Sequence, residues 1–407
     1  MSDFDIVVVG GGMTGSALAL GAAQQGWRVA LVEAAPVAKL VESPLPARTV
    51  DDFEPRVSAI SVASQRLLER LGAWQRATQS RHCPYIAMDV WDGEAIGRIR
   101  FDAAELGVPA LGTIIENRHL VRSLFEAVRD SDLTCLDGQS VDALEQDGEG
   151  WQLTLSGGEK FTASLVVGAD GGHSRIRQWV GLPTREWDYD QEAIVCTVQA
   201  AQSHQHTAWQ RFTATGPLAF LPLQPDPGEE GEQGERFCSI VWSQDTPEAR
   251  RLLALDADAF MAELTSALEG RLGPVEAVSR RFSFPLRQRH SKQYVQPGLA
   301  LVGDAAHTIH PLAGQGANLG YGDVSALLAE LETAFQRGQS PGDLLLLQRY
   351  QRRRKGENLS MMAAMEGFRQ LFARDELPLK WLRSTGMRWL DRATPLKNRV
   401  AAQAMGL

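Results

Sequence analysis

The sequence predicts an α/β protein (α+β overall). It would have a Rossmann-like nucleotide-binding domain, an inserted antiparallel β-sheet domain and a C-terminal helical segment. Three observations carry that prediction. Residues 4–33 read as strand, glycine turn, helix and strand. Residues from about 186 to 285 read mostly as β-strands. The run GLALVG at 298–303 reads as a strand returning to the first domain. A chain of 407 residues exceeds one typical compact core, so two domains are expected.

FDIVVV (4–9) is a continuous apolar run, as for a strand covered on both faces. Glycines follow, then the small-residue helix SALALGAAQQG, then WRVALVE, a strand ending in an acid; together they make a βαβ start. RVSAISVASQRLLERLG (56–72) is a strand or loop entering a helix that Gly72 stops. PYIAMDVWDGEAIGRIRF (84–101) alternates like a hairpin turning at Asp92-Gly93. Residues 117–130 read as a helix, and 151–170 as a hairpin leading into a buried strand. The later β region holds AIVCTVQA, TAWQRFT, LAFLPL and FCSIVWS, interrupted by one helix at about 247–270. QPDPGEEGEQGER (224–236) is a polar, acidic loop between two of these strands, and residues 320–337 and 343–375 are helical.

The composition is 44% apolar and 22% charged, ordinary for a globular chain. A net charge of −9 argues against general nucleic-acid binding. The charge is uneven: Leu346 to Leu407 holds 13 basic and 5 acidic residues. Such a cationic end suits an anionic partner or membrane surface, and equally a solvated helix. Cys83, Cys135, Cys196 and Cys238 are far apart, without a C-x-x-C pair. That excludes a zinc ribbon or dithiol redox centre and fits a reducing cytosol. No apolar run reaches the roughly 18 residues of a spanning helix, and the apolar start lacks a basic flank. A cytoplasmic protein is expected, with peripheral contact to the inner membrane as its one route to lipid.

VVVGGGMTGSALA contains Gly10-x-Gly12-x-x-Gly15. The motif is weak alone; after a strand, before a helix and with Glu33 closing the next strand it is a strong nucleotide signal. Gly10 allows the tight turn, Gly12 the approach of a pyrophosphate and Gly15 close helix–strand packing, while Glu33 suits a ribose hydroxyl. Nicotinamide and flavin enzymes share the cluster, so it does not name the cofactor. It has no second copy, so if a flavin sits here the nicotinamide must come and go. LVVGADGGHSRIRQWVG (165–181) is a second strand–turn–helix with Asp170-Gly171-Gly172. GLALVGDAAHTIHPLAGQGANLG is a third, in which Asp304 can accept from a polyol and residues 314–318 offer backbone N–H groups. His307 and His310 suggest a metal site at first sight. However, H-x-x-H puts both rings on one side only in a helix, Pro311 argues for a loop, and no third ligand cluster appears.

These three signals, in this order and spacing, resemble the group A FAD-dependent aromatic monooxygenases. RVSAISVAS, MDVWD, the Glu116-Asn117 pair, AWQRFTATGPLAFLPL, SIVWS, GDAAHTIHPLAGQGANLG and the final QAMGL further resemble the ubiquinone-biosynthesis hydroxylases. Within them the likeness is greatest to the VisC-type 2-polyprenylphenol hydroxylases. The resemblance covers essentially the whole chain and implies a reaction. NAD(P)H reduces FAD, the reduced flavin takes up O2 as a C4a-hydroperoxide, and an oxygen atom enters a polyprenylated phenol. The product is expected to be 2-polyprenyl-6-hydroxyphenol; another ring position or another aromatic is the alternative, as is a flavin-binding component without turnover.

The resemblance also implies the site. Gly10, Gly12, Met13, Thr14 and Gly15 would face the pyrophosphate, Glu33 the adenosine ribose, Arg56 the pyrophosphate or flavin, and Asn117 the ribityl chain. Asp170, Gly171 and Asp304 would close the cofactor site, and Gly316, Ala317 and Asn318 would line the flavin edge. Pro311 and Gly316 would position the flavin at its reactive face; no acid–base pair and no metal is assigned. The implied division is FAD-binding parts at 1–75, 111–183 and 291–345, substrate parts at 76–110 and 184–290, and a helical region at 346–407. In that last region Met361, Met365, Phe368 and Phe372 form one helical stripe. Leu379, Trp381, Leu382, Trp389 and Leu390 form a second apolar set. The stripe suits packing on the flavin domain. The second set suits contact with a membrane or with other quinone-biosynthesis proteins. A homo-oligomer is compatible with the sequence, which does not decide it.

Overall fold

The computed structural model describes residues 2–42, 46–93, 96–148, 150–226, 234–308, 316–373, 385–389 and 391–406. The strand Phe4–Val9 lies at the centre of a parallel sheet, between Val29–Glu33 and Lys160–Gly168. Thr134–Asp137 and Leu299–Leu301 extend it in parallel on either side. The strand expected to return at 298–303 therefore does so. A hairpin, Val141–Asp147 with Gly150–Leu155, adds antiparallel to Lys160–Gly168. Helices Met13–Gln24, Asn117–Arg129, Gly316–Gln336 and Leu344–Ala373 pack around this sheet, so its apolar runs are buried throughout.

Among the described residues the second sheet has nine strands and is almost wholly antiparallel. At its centre Thr184–Ala200 pairs with Phe237–Asp245 on one side and Phe282–Ser291 on the other. Alternation sorts its two faces. Ile194, Cys196, Ile240 and Trp242 pack against two helices, Thr246–Ala254 and Ala257–Ala267. The intervening residues face the first domain. The single helix expected at 247–270 is thus two. Leu255 turns extended (ψ 151), and Asp256 caps the second helix by accepting from the Ala259 N–H at 2.8 Å.

The hairpin expected over 84–101 is also narrower. Ala87–Asp92 pairs with Arg98–Asp102. His82–Tyr85 instead forms the edge of a small sheet with Gly112–Glu116 and Val57–Ser61, where Pro84, which has no N–H to donate, is tolerated.

The C-terminal region divides. Leu346, Leu347 and Tyr350 join the core of the first domain. The helix Thr394–Met405 packs elsewhere, against the hairpin. Lys397 Nζ donates to Arg100 O at 2.9 Å, Asn398 Nδ2 to Glu105 O at 3.0 Å, and Met405 packs with Ala103 and Leu111. Of the expected second apolar set Trp389 is described, and it is 62% exposed. No helix among the described residues is long and apolar enough to cross a membrane. Residues 227–233, His310, Pro311, Gly314, Gln315, Leu379, Trp381, Leu382 and Leu390 lie outside the described residues, as do the side chains of Met365, Phe368 and Phe372.

Candidate active site

The two sheets enclose a cavity of about 530 Å³. Among the expected residues, Gly12, Met13, Thr14, Arg56, Asn117, Gly171, Asp304, Gly316 and Ala317 line it. Gly10, Gly15, Glu33, Asp170 and Asn318 are not in its lining but shape the segments that are.

The glycine turn shows the division of labour. Gly10 has φ +104, and a Cβ on it would lie 2.5 Å from Ala169 O. A Cβ on Gly15 would lie 1.9 Å from Gly10 O, so the helix could not approach the strand. Gly12, by contrast, faces open space and starts the helix Met13–Gln24 with no side-chain cap. The N–H groups of that first turn are free for an anion, at the positive end of the helix dipole. Glu33 braces the turn: Oε2 accepts from the Gly11 N–H at 2.6 Å and Oε1 from the Ala35 N–H at 2.7 Å. Gly11 is a further requirement that the motif hides at an "x" position. A Cβ there would lie 2.6 Å from Phe125 Cζ.

At the second turn Asp170 Oδ2 accepts from the N–H groups of Arg175 and Ile176, at 2.7 and 3.2 Å. Its Oδ1 is buried without a hydrogen-bond partner. Of the two nearby arginines, Arg175 lies over the Trp179 ring at the surface. Arg177 is the buried clamp: it donates to Ala305 O at 2.7 Å and to Gly172 O at 2.8 Å, tying the second turn to the third.

The third turn rests on a network the sequence did not disclose. Asp323, fully buried on the helix Gly316–Gln336, accepts from the Gly303 N–H at 2.9 Å and from Arg354 Nε at 2.8 Å. His307 Nε2 lies 2.6 Å from Asp323 Oδ2, the oxygen that also accepts from Gly303. Burial would raise the Asp323 pKa, but His307 and Arg354 overcome that and lower it. His307 is therefore a structural partner of a carboxylate, and no cluster of potential metal ligands occurs among the described residues. Asp304, next in the chain, faces the cavity. It is wetted there but walled in by protein, and this burial raises its pKa against the opposing charges of His307 and Arg56. The Asn318 side chain is a clasp. It accepts from the Ser61 N–H at 2.9 Å and Ser64 Oγ at 2.8 Å and donates to Ala59 O at 2.7 Å, leaving the backbone of Gly316 and Ala317 at the cavity.

Asn117 lines the cavity with its Oδ1 already accepting from Ser58 Oγ at 2.7 Å. The preceding Glu116 is buried against Arg81 at 3.0 Å. Burial alone would raise its pKa; His119 and the Arg81 guanidinium hold it down at about 2. The opposite wall is the antiparallel sheet, mostly Ala193, Val195, Ala219, Leu221, Val241 and Leu286, with Gln210 and Ser243 among them.

A glycine cradle open to a helix N-terminus, a buried orphan carboxylate oxygen at Asp170 and an apolar wall opposite fit a flavin dinucleotide beside an aromatic substrate. Comparison with known proteins agrees. The FAD binding domain family matches residues 3–363. The chain is 40% identical to the 3-demethoxyubiquinol 3-hydroxylase of Escherichia coli K12, over 99% of this chain and 98% of that protein. It is 36% identical to the ubiquinone hydroxylase UbiL of Rhodospirillum rubrum (99% and 89%). It is 31% identical to the human ubiquinone biosynthesis monooxygenase COQ6 (98% and 92%). Two solved structures share the fold. PqsL of Pseudomonas aeruginosa has TM-score 0.75 at 22% identity, covering 94% of this chain and 99% of that one. The p-nitrophenol 4-monooxygenase PnpA of Pseudomonas putida has TM-score 0.76 at 18% identity, covering 98% and 97%.

Proposed function

The chain belongs to the FAD-dependent monooxygenases of ubiquinone biosynthesis, and from that membership we propose its substrate and the duties of its residues. It is an aromatic hydroxylase of ubiquinone precursors. The substrate we assign is a polyprenylated demethoxyquinol. Forty per cent identity along nearly the whole length of the Escherichia coli 3-hydroxylase carries this choice. The 2-polyprenylphenol of the VisC-type enzymes, expected from sequence motifs, is the competing substrate. It asks for the same chemistry at another ring position.

Bound FAD, reduced by NAD(P)H, supplies the activation of O2. This chain's residues bind, orient and exclude water. The uncapped turn at Gly12, Met13 and Thr14, shaped by Gly10 and Gly15, takes the pyrophosphate; Glu33 takes the adenosine ribose while bracing Gly11. Arg56 lies toward the pyrophosphate, Asn117 presents its amide nitrogen to the ribityl chain, and Asp304 accepts from that chain. Asp170 and Gly171 close the cofactor site, and the backbone from Gly316 to Asn318 meets the flavin edge. Pro311 is assigned to its reactive side. The apolar wall keeps water from the reacting ring, and a fixed ring position supplies the proximity the reaction needs. The flavin and substrate parts of the chain follow the boundaries given above. Peripheral contact with a membrane or with other quinone-biosynthesis proteins belongs to the same reading, supported by the exposed Trp389 and Leu396 on the cationic end.

The test is turnover by purified holoprotein with NAD(P)H and O2, offered a short-chain demethoxyquinol or a short-chain 2-polyprenylphenol, with product mass and ring position determined. The expected result is one added oxygen atom on the demethoxyquinol. Hydroxylation of the phenol alone would return the assignment to the VisC type, and no oxygenated product from either would sink the hydroxylase reading.

A further inference from the structure

The cavity-facing side of the antiparallel sheet is apolar at Ala193, Val195, Ala219, Leu221, Val241 and Leu286. Two positions break the pattern. Gln210 is 5% exposed and Ser243 is 2% exposed, and both line the cavity. Neither side chain has a hydrogen-bond partner among the described residues, yet neither is sealed from the cavity. A buried amide or hydroxyl left unpaired is unfavourable, so a face that keeps two of them against an apolar surround is arranged for a polar visitor. Water can satisfy them between turnovers, and a ligand's own oxygens can replace it.

The register places the two groups around one object. Gln210 pairs with Ala219, and Ala219 with Val241, so these three form one row across the sheet. Ser243 lies two residues beyond Val241 on the same face, opposite Ala193. Strand spacing then sets the Gln210 and Ser243 Cα atoms roughly 12 Å apart. Two inward-pointing side chains narrow that gap to one a substituted ring can bridge. Arg287, the charged neighbour at this end, is already held by Asp188 at 3.0 Å.

Building on the hydroxylase reading above, we infer that Gln210 and Ser243 are the specificity-determining residues that read the oxygen substituents of the substrate ring. The Gln210 carboxamide accepts from a ring hydroxyl, and Ser243 Oγ holds a second ring oxygen. The aliphatic residues between them take the ring face and the start of the tail. Both groups are neutral, so they orient the ring and do not remove its proton; they are positioning residues.

The experiment compares wild-type holoenzyme with Q210L and S243A. It uses a short-chain prenylated phenol and its O-methyl ether, with binding followed by the change in flavin absorbance. Wild type should favour the phenol by about tenfold, the worth of one buried hydrogen bond. Q210L should lose that preference, raise KM for the reactive substrate by a similar factor and divert reducing equivalents to hydrogen peroxide. S243A should show a smaller loss, and Q210N a partial rescue. FAD content and thermal midpoint should not move in any variant. Equal phenol preference in wild type and Q210L overturns the inference while turnover upholds the hydroxylase reading. A holoenzyme that binds neither ring overturns both. Loss of FAD or of thermal stability in Q210L, with phenol preference retained in the folded fraction, reduces the residue to a structural role.

Discussion

In the parallel sheet Ile6 and Val8 on one face, and Val7 and Val166 on the other, are all buried. In the antiparallel sheet Phe220 and Ile240 are equally buried against helices, while their neighbours Ala219 and Val241 border the cavity. The first sheet has no face left for a ligand, so its chemistry sits at the turns beyond its strand ends. The second has a free face, so its chemistry is written along the strands. The two kinds of site fail differently. A turn is sensitive to the backbone and to what braces it. A sheet wall is sensitive to single side chains and tolerates neighbours of similar volume.

The largest expected effect breaks the brace of a turn. Asp323→Ala would strand Arg354 and His307 without their buried carboxylate and free the Gly303 N–H. Losing one member of a buried ion pair costs about 3–5 kcal/mol. Denaturant unfolding should show that loss, together with reduced FAD content; unchanged stability would mean the network is not what holds the third turn. Next comes a group at the cavity itself. Asp304→Ala should weaken FAD binding by about tenfold or more, the worth of a charge-assisted hydrogen bond. It should leave the phenol preference of the remaining holoenzyme intact. A fully occupied Asp304→Ala protein would contradict its assignment.

The smallest effect is a pH dependence of stability set by two histidines of the antiparallel half. Burial lowers the pKa of His204, in the antiparallel half, to about 4. Burial, with help from His307, Lys355 and Arg185, does the same to His290, also to about 4. Both folded values lie below the ordinary 6.5. The unfolded chain therefore binds more protons between those limits. The stability is present in full above about pH 6.5 and is lost as pH falls toward 4. Both groups make stability rise with pH across that window. His204→Asn should remove about half of the histidine part of that slope, measured by thermal midpoints from pH 7 to 4.5.

Much of the flavin half was legible because its constraints are local. A strand covered on both faces reads as an apolar run, and a turn that must approach a phosphate reads as glycine. Gly11 escaped because its constraint is the distant Phe125 ring, and the motif leaves its position free. Arg175 and Arg177 follow the same turn, and residue type does not separate them. Only packing makes one a clamp and leaves the other at the surface. The break at Leu255–Asp256 was missed because an apolar helical pattern runs through it, while a capping aspartate was its one local signal.

By itself, then, the sequence determined the fold class, the glycine turn with Glu33 closing the next strand, and the three segments that meet at the cavity. These depend on residue type and spacing over short stretches. Tertiary structure decided which of those residues reach the cavity and which only shape it. It assigned His307 to a buried carboxylate and sent the terminal helix to the substrate sheet. It also placed Gln210 and Ser243 on one apolar wall. Each of those outcomes depends on partners distant in sequence, whose meeting is set by strand register and helix packing.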